Sequence, residues 1–184
     1  MNPASQGYTR TAIALHWLVA LLIFVTFPLG VYMHDLPLSP NKLQLYSWHK
    51  WIGITILTLA ILRLLWRTRH PPPLLPDATP RWQRRVSQGV HFLLYTLILA
   101  IPLSGWLMSS AKGFQTVWFG ILPLPDLVSK DKALGELLTV VHESLNFTLL
   151  GLVAAHVVAA MKHHFIQRDA ILRRMLPFVR GDRS

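Results

Sequence analysis

Residues 137–161, LLTVVHESLNFTLLGLVAAHVVAAM, form a long apolar stretch whose single formal charge is Glu143 and whose two histidines are His142 and His156. A bilayer core needs about 20 apolar residues of helix, so this stretch predicts a membrane-spanning helix. The histidines lie 14 positions apart, which at 1.5 Å per residue is close to four turns and about 21 Å along the axis. Both rings therefore leave roughly one face, one near each surface. Outward from this helix, residues 11–33, 86–111 and 51–62 are also nearly free of charge. The last is short, but Lys50 and Arg63 have long stems that snorkel to the headgroups, which extends the span to about 45–66. The expected fold is an all-α integral membrane protein, a four-transmembrane-helix bundle with helices over about 11–33, 45–66, 86–111 and 137–165. Residues 1–184 form one domain, in which 166–184 make an interfacial tail.

Composition supports this. The chain is 52% hydrophobic and 14% charged, with 18 Lys+Arg against 8 Asp+Glu and a net charge of +10. Such apolar bulk excludes a disordered chain. A soluble helical bundle needs polar faces at helical spacing, and 11–33 has almost none. That first segment is longer than a signal-peptide core and no A-x-A-like site follows within 32–45, so it is expected to be retained. Trp48, Trp51, Trp66, Trp82, Trp106 and Trp118 fall near helix ends, as in an interfacial aromatic belt.

The basic residues are strongly segregated. The N-terminus, the second connection and the tail hold thirteen, including all twelve arginines, against three acidic residues. The other side holds Lys42, Lys50, Lys112, Lys130 and Lys132 against five acidic residues. By the positive-inside rule both termini face the cytoplasm, and the excess points to topology and anionic lipids, with no nucleic acid partner. The inner connection, with Pro71, Pro72, Pro73, Pro76 and Pro80, reads as a stiff extended linker. The outer loop 112–136 is long enough to fold over the mouth of the bundle.

There is no cysteine, which removes disulfides, covalent haem attachment, iron–sulfur clusters and thiolate zinc sites. Nine histidines remain as nitrogen ligands, and His16, His49, His91, His142 and His156 lie within predicted spans. An ionisable residue in hydrocarbon is a functional candidate by default. Depth matches His16 with His156 on the inner side and His49 with His142 on the outer side. Imidazole on both faces of an iron gives a six-coordinate b-type centre suited to electron transfer, so two stacked haem b groups are expected, held by these pairs. His91 lies at a depth similar to His16 and is the alternative inner ligand. Ala20 leaves more room beside His16 than Tyr95 leaves beside His91; unligated, His91 would suit a quinone carbonyl. A histidine-lined metal pathway is a further class, disfavoured because membrane transport would call for carboxylates near the midplane.

The segments RTAIALHW (10–17), WHKWIGITILTLAILRLLWR (48–67), HFLLYTLILAIPLSGWLM (91–108) and 142–177 resemble the bacterial cytochrome b561 family. The resemblance implies an inner-membrane four-helix bundle with two b haems, and its ligand histidines fall on His16, His49, His142 and His156. One member of that family takes electrons from periplasmic superoxide and passes them to ubiquinone. This chain is similar to that member at Trp118–Phe119–Gly120 and His163–His164. The same fold also resembles the cytochrome b subunits of hydrogenase and formate dehydrogenase, which act with a redox protein partner. The expected activity is therefore superoxide:ubiquinone oxidoreduction; the alternative is an electron-transfer subunit of a respiratory complex. Lys112, Lys130 and Lys132 are the candidate cations for superoxide, His91, His163 and His164 the candidate quinone site, and Arg63 and Arg67 the candidate partners of haem propionates.

Overall fold

The computed structural model describes residues 7–74 and 79–176. Four helices carry the chain: α1 (Arg10–Asp35), α2 (Pro40–Arg69), α3 (Arg81–Ala111) and α4 (Lys132–Lys162). All four are long and apolar enough to cross a membrane. Between α3 and α4 a short antiparallel hairpin pairs β1 (Val117–Trp118) with β2 (Leu122–Pro123). Pro76 and Asp77 of the linker, and Pro177, Phe178, Arg180, Asp182 and Arg183 of the tail, lie outside the described residues.

The helices begin where side chains can satisfy their first free N–H groups. Thr9 accepts from Ala12 N, Ser39 from Lys42 N, and Asp131 from Leu134 N. Pro40 follows Ser39 at the first helical position, where its missing N–H costs nothing. Three helices start about five residues earlier than the apolar pattern predicts, at Pro40, Arg81 and Lys132. Loss of charge marks the hydrocarbon boundary, whereas the helix runs on to its cap in the polar layer. At its other end α4 stops short of the predicted 165: after Lys162 it widens into a π-turn, His163–Gln167.

The protein core is small. Leu94, Leu97, Ile101 and Leu149 are buried together, with Ile23, Ile98 and Leu145 packed on them. By contrast, Leu21, Phe24, Phe92, Phe147 and Val158 are all exposed. A surface this apolar suits lipid and would aggregate in water. α4 packs chiefly on α3, and α1 chiefly on α2, with α2 against α3 joining the two halves.

Tryptophans tie the ends together. Trp51 donates to Val117 O at 2.7 Å and Trp118 to Thr55 Oγ1 at 3.3 Å, which clips the hairpin onto α2. Lys50 Nζ adds a bond to Phe114 O at 3.2 Å. Trp106 donates to Pro125 O, Trp66 to Thr9 Oγ1, and Trp17 to Met175 O. Four of the six indole N–H groups that sequence assigns to an interfacial belt, those of Trp51, Trp66, Trp106 and Trp118, thus bind protein acceptors, as an amphipathic ring does when half its surface is covered.

Candidate functional site

Five histidines within the helices converge on α4 in two groups. At the hairpin end, His49 of α2 faces His142 of α4, with ring centroids 6.2 Å apart and planes at 77°. At the arginine-rich end, His16 of α1 faces His156 of α4, at 6.4 Å and 71°. His91 of α3 also touches His156, at 5.3 Å. No cluster of three or more His, Cys, Asp or Glu suited to a bare metal ion occurs among the described residues. Facing imidazoles instead suit an ion whose remaining ligands come from a macrocycle.

The spacing allows a direct test of fit. Imidazole nitrogens bind a first-row metal at about 2.0–2.1 Å and ring centres lie about 1.2 Å further out, so two rings across one ion are about 6.4 Å apart. His16–His156 and His49–His142 both meet this distance. His91–His156 is too close.

Room for the outer rings is made by glycines on neighbouring helices. A Cβ on Gly30 of α1 would stand 3.0 Å from His49 Cε1, and one on Gly105 of α3 would stand 3.1 Å from His142 Cε1. A cleft between the two rings is lined by Ile23, Phe27, Gly53, Ile98, Pro102 and Asn146, an almost wholly apolar wall. Gly53, one turn after His49, has open space where its side chain would be. Along α4 itself His142 is flanked one turn away by Leu138 and Asn146, with no small residue to make room. Gly105 supplies it from another helix, a contact that spacing along α4 alone does not reveal.

Hydrogen bonds orient the outer rings. Nδ1 of His142 is 3.1 Å from Ile101 O and 2.9 Å from Ser104 Oγ. A carbonyl only accepts, so Nδ1 carries the proton and Nε2 is left bare as a ligand. Nδ1 of His49 meets Thr26 Oγ1 at 3.3 Å, which allows the same arrangement.

The arginine-rich end differs. Arg63 Nη1 lies 2.9 Å from Nδ1 of His16, and the guanidinium is always a donor. His91 Nδ1 is 2.6 Å from Ser87 O, so its proton points to the helix and its Nε2 is free. Ring spacing thus favours His16 as the partner of His156, while the tautomer favours His91. Spacing is the firmer criterion, because a guanidinium rotation frees Nδ1 of His16, whereas 5.3 Å between ring centres leaves no room for an ion between His91 and His156. Arg63 and Arg67 both lie over the Tyr95 ring, at 5.4 and 5.3 Å. Tyr8 joins this cluster from just outside α1. Burial pushes its phenol above the usual range, against the pull of Arg67, so it remains a neutral hydrogen-bonding group. Tyr8 carried no sequence signal because it precedes the helix.

The remaining candidates separate. His163 Nδ1 pairs with Asp169 Oδ2 at 2.5 Å, and His164 stacks edge-on against Phe165. Lys112 packs along Gly135 and Lys130 along Gly113, while Lys132 stands 3.9 Å from Glu136. These lysines line the loop beside the hairpin without converging on one point.

Comparison with known proteins gives the lineage. The family model described as prokaryotic cytochrome b561 matches residues 7–178. The chain is 34% identical to cytochrome b561 homolog 2 of Escherichia coli (strain K12), over 93% of this chain and 92% of that one. It is 30% identical to a protein of Yersinia pestis named probable superoxide oxidase CybB, over 96% and 99%. To cytochrome b562 of Cereibacter sphaeroides it is 28% identical, over 92% and 95%.

Proposed function

The chain belongs to the prokaryotic cytochrome b561 family, a family of b-type membrane electron carriers, and from that premise we propose that it is a di-haem superoxide:ubiquinone oxidoreductase. The observation that carries the proposal is the pair of histidine couples, 6.2 and 6.4 Å apart, stacked along one helix. His49 and His142 would hold one haem b, and His16 and His156 the other. Haem held between two imidazoles supplies reversible one-electron iron chemistry with no position open to oxygen.

The overall reaction is two superoxide anions, one quinone and two protons giving two dioxygen and one quinol. The chain's own residues divide this work by end. Lys112, Lys130 and Lys132 flank the hairpin and bias a small anion toward the outer pair. Trp51, Phe119 and Trp118 pack as a run of tilted rings that joins the hairpin to α2 two residues beyond His49. At the opposite end, Arg63 beside His16 and Arg67 beside it over the Tyr95 ring would neutralise propionate charge. His91, its Nδ1 proton engaged by Ser87 O, keeps a bare Nε2 that takes up a proton and, as imidazolium, would donate it to the oxygen of a reduced quinone. The His163–Asp169 couple relays protons from the aqueous side. His164 turns away toward a separate cavity. The arginine distribution supports a cytoplasmic location for this quinone end and both termini, in a bacterial inner membrane.

A second function, an electron-transfer subunit acting with a redox protein partner, is favoured by the exposed apolar hairpin, where Ile121 is 85% accessible. The dithionite-reduced spectrum tests both: absence of b-type bands overturns either. Mixing the pure protein with superoxide and a water-soluble quinone separates them. Acceleration over the uncatalysed reaction supports the oxidoreductase; none leaves the partner subunit.

A further inference from the structure

The end of α4 builds a second polar site, next to the His163–Asp169 couple. The π-turn His163–Gln167 breaks at Arg168, whose φ of 52° is a left-handed conformation uncommon for a long side chain. The reversal is held by Asp169. Its Oδ2 pairs with His163 Nδ1, its Oδ1 accepts from Ile171 N at 3.0 Å, and its own N–H donates to His163 O at 3.2 Å. As a result His164, Arg168 and Arg173 gather around one cavity of about 280 Å³, with Phe165 and Asp169 as its remaining walls.

Three features give the cavity its chemistry. Arg168 and Arg173 form no ion pair among the described residues, so two guanidinium groups face one polar space. The nearby carboxylate of Asp169 is already bonded at both oxygens, which limits its repulsion of an incoming anion. Phe165 and Ile166, 67% and 74% exposed, continue directly into the apolar surface of α4. Paired arginines suit the oxygens of a phosphate, and an adjoining apolar wall suits chains attached to it.

We propose that this cavity binds the phosphate of an anionic phospholipid, with Arg168 and Arg173 on the headgroup and Phe165 and Ile166 along the acyl chains. Free phosphate shares the headgroup chemistry but has nothing to place on Phe165.

The test is native mass spectrometry of the full-length, detergent-purified protein titrated with phosphatidylglycerol, phosphatidylcholine or inorganic phosphate. Wild type is expected to retain one phosphatidylglycerol at about tenfold lower concentration than phosphatidylcholine. Arg168→Gln with Arg173→Gln removes that preference, and Phe165→Ala weakens phosphatidylglycerol binding. A control, Arg69→Gln with Arg81→Gln, removes the same charge elsewhere at that end and leaves the preference intact. Equal loss in the control, or no loss in the cavity variant, overturns the site in favour of diffuse attraction. Displacement of the lipid by equimolar inorganic phosphate, with Phe165→Ala unaffected, overturns the lipid as its occupant. Arg173→Gln alone, which leaves the turn at Arg168 intact, serves if the double variant does not fold, and is expected to lower the preference at least threefold; no change overturns the site.

Discussion

Arg63 Nη1 stands 2.9 Å from Nδ1 of His16, a donor facing the nitrogen that the outer ligands use to donate. This contact makes the two ends of the bundle electrically unequal. At the hairpin end His142 Nδ1 donates a hydrogen bond to a neutral carbonyl, Ile101 O; at the other end a cation stands beside His16. Arg63→Gln is therefore expected to lower one of two haem midpoint potentials by about 50–100 mV, the scale of a unit charge about 7 Å away at an effective dielectric near 20. The other midpoint should stay in place. Potentiometric titration followed in the visible bands reads both, and equal movement of the two would contradict the assignment.

Histidine replacements separate ligand from neighbour. His16→Ala and His156→Ala should each remove about half of the bound haem, as should His49→Ala and His142→Ala. His91→Ala should keep full haem content and slow quinone reduction at least tenfold, the usual scale for a lost proton donor. Haem loss in His91→Ala with retention in His16→Ala would reverse the inner pairing.

The two notches beside the outer rings are open to a minimal test. Gly105→Ala places a methyl 3.1 Å from His142 Cε1, and Gly30→Ala places one 3.0 Å from His49 Cε1. Overpacking of this size costs about 1–3 kcal/mol, so haem occupancy at one site should fall while helicity persists. Gly89→Ala meets nothing within 4 Å and should leave occupancy unchanged.

Ring orientation gives a spectroscopic prediction. The imidazole planes cross at 71° and 77°. Near-perpendicular axial rings leave two iron d orbitals almost equal in energy, so both ferric centres should show a strongly anisotropic low-spin signal with one large g value. A rhombic signal with three well-spread g values would indicate parallel rings. Electron paramagnetic resonance of the oxidised protein distinguishes them.

Steering at the hairpin end should be weak. The lysines are interspersed with carboxylates, as in the 3.9 Å Lys132–Glu136 contact. Replacing Lys112, Lys130 and Lys132 together by Gln should reduce superoxide-dependent quinone reduction by less than about tenfold, with a shallow dependence on ionic strength. A larger loss would assign one lysine a direct role, which rapid mixing of the single variants would identify.

Four helices and the depth-matched histidines were legible in the sequence because both depend on one number, the rise per residue. His142 and His156 report the same axis, and the missing charge reports its surroundings. What escaped depends on approach between helices. Gly30 and Gly105 matter only for the rings opposite them, and each lies 14 residues from the embedded histidine of its own helix, His16 or His91. The β1–β2 hairpin escaped because two residues per strand leave no alternation to detect, and its position follows from Trp51 and Trp118. The His163–Asp169 couple escaped because its six-residue spacing closes only through a π-turn and a left-handed Arg168.

The uneven contact between helices has a consequence for how the protein is made. α1 with α2 and α3 with α4 form close pairs, whereas α4 meets α1 and α2 through few residues, among them Phe27 on Phe147 and the histidines themselves. A metal centre ligated from His16 and His156, or from His49 and His142, would therefore bridge two halves that otherwise meet chiefly along α2 and α3. The energy of ligation would then be part of the stability of the bundle. A cell short of haem would accumulate two hinged hairpins exposed to membrane proteases, so the supply of pigment would set the amount of protein.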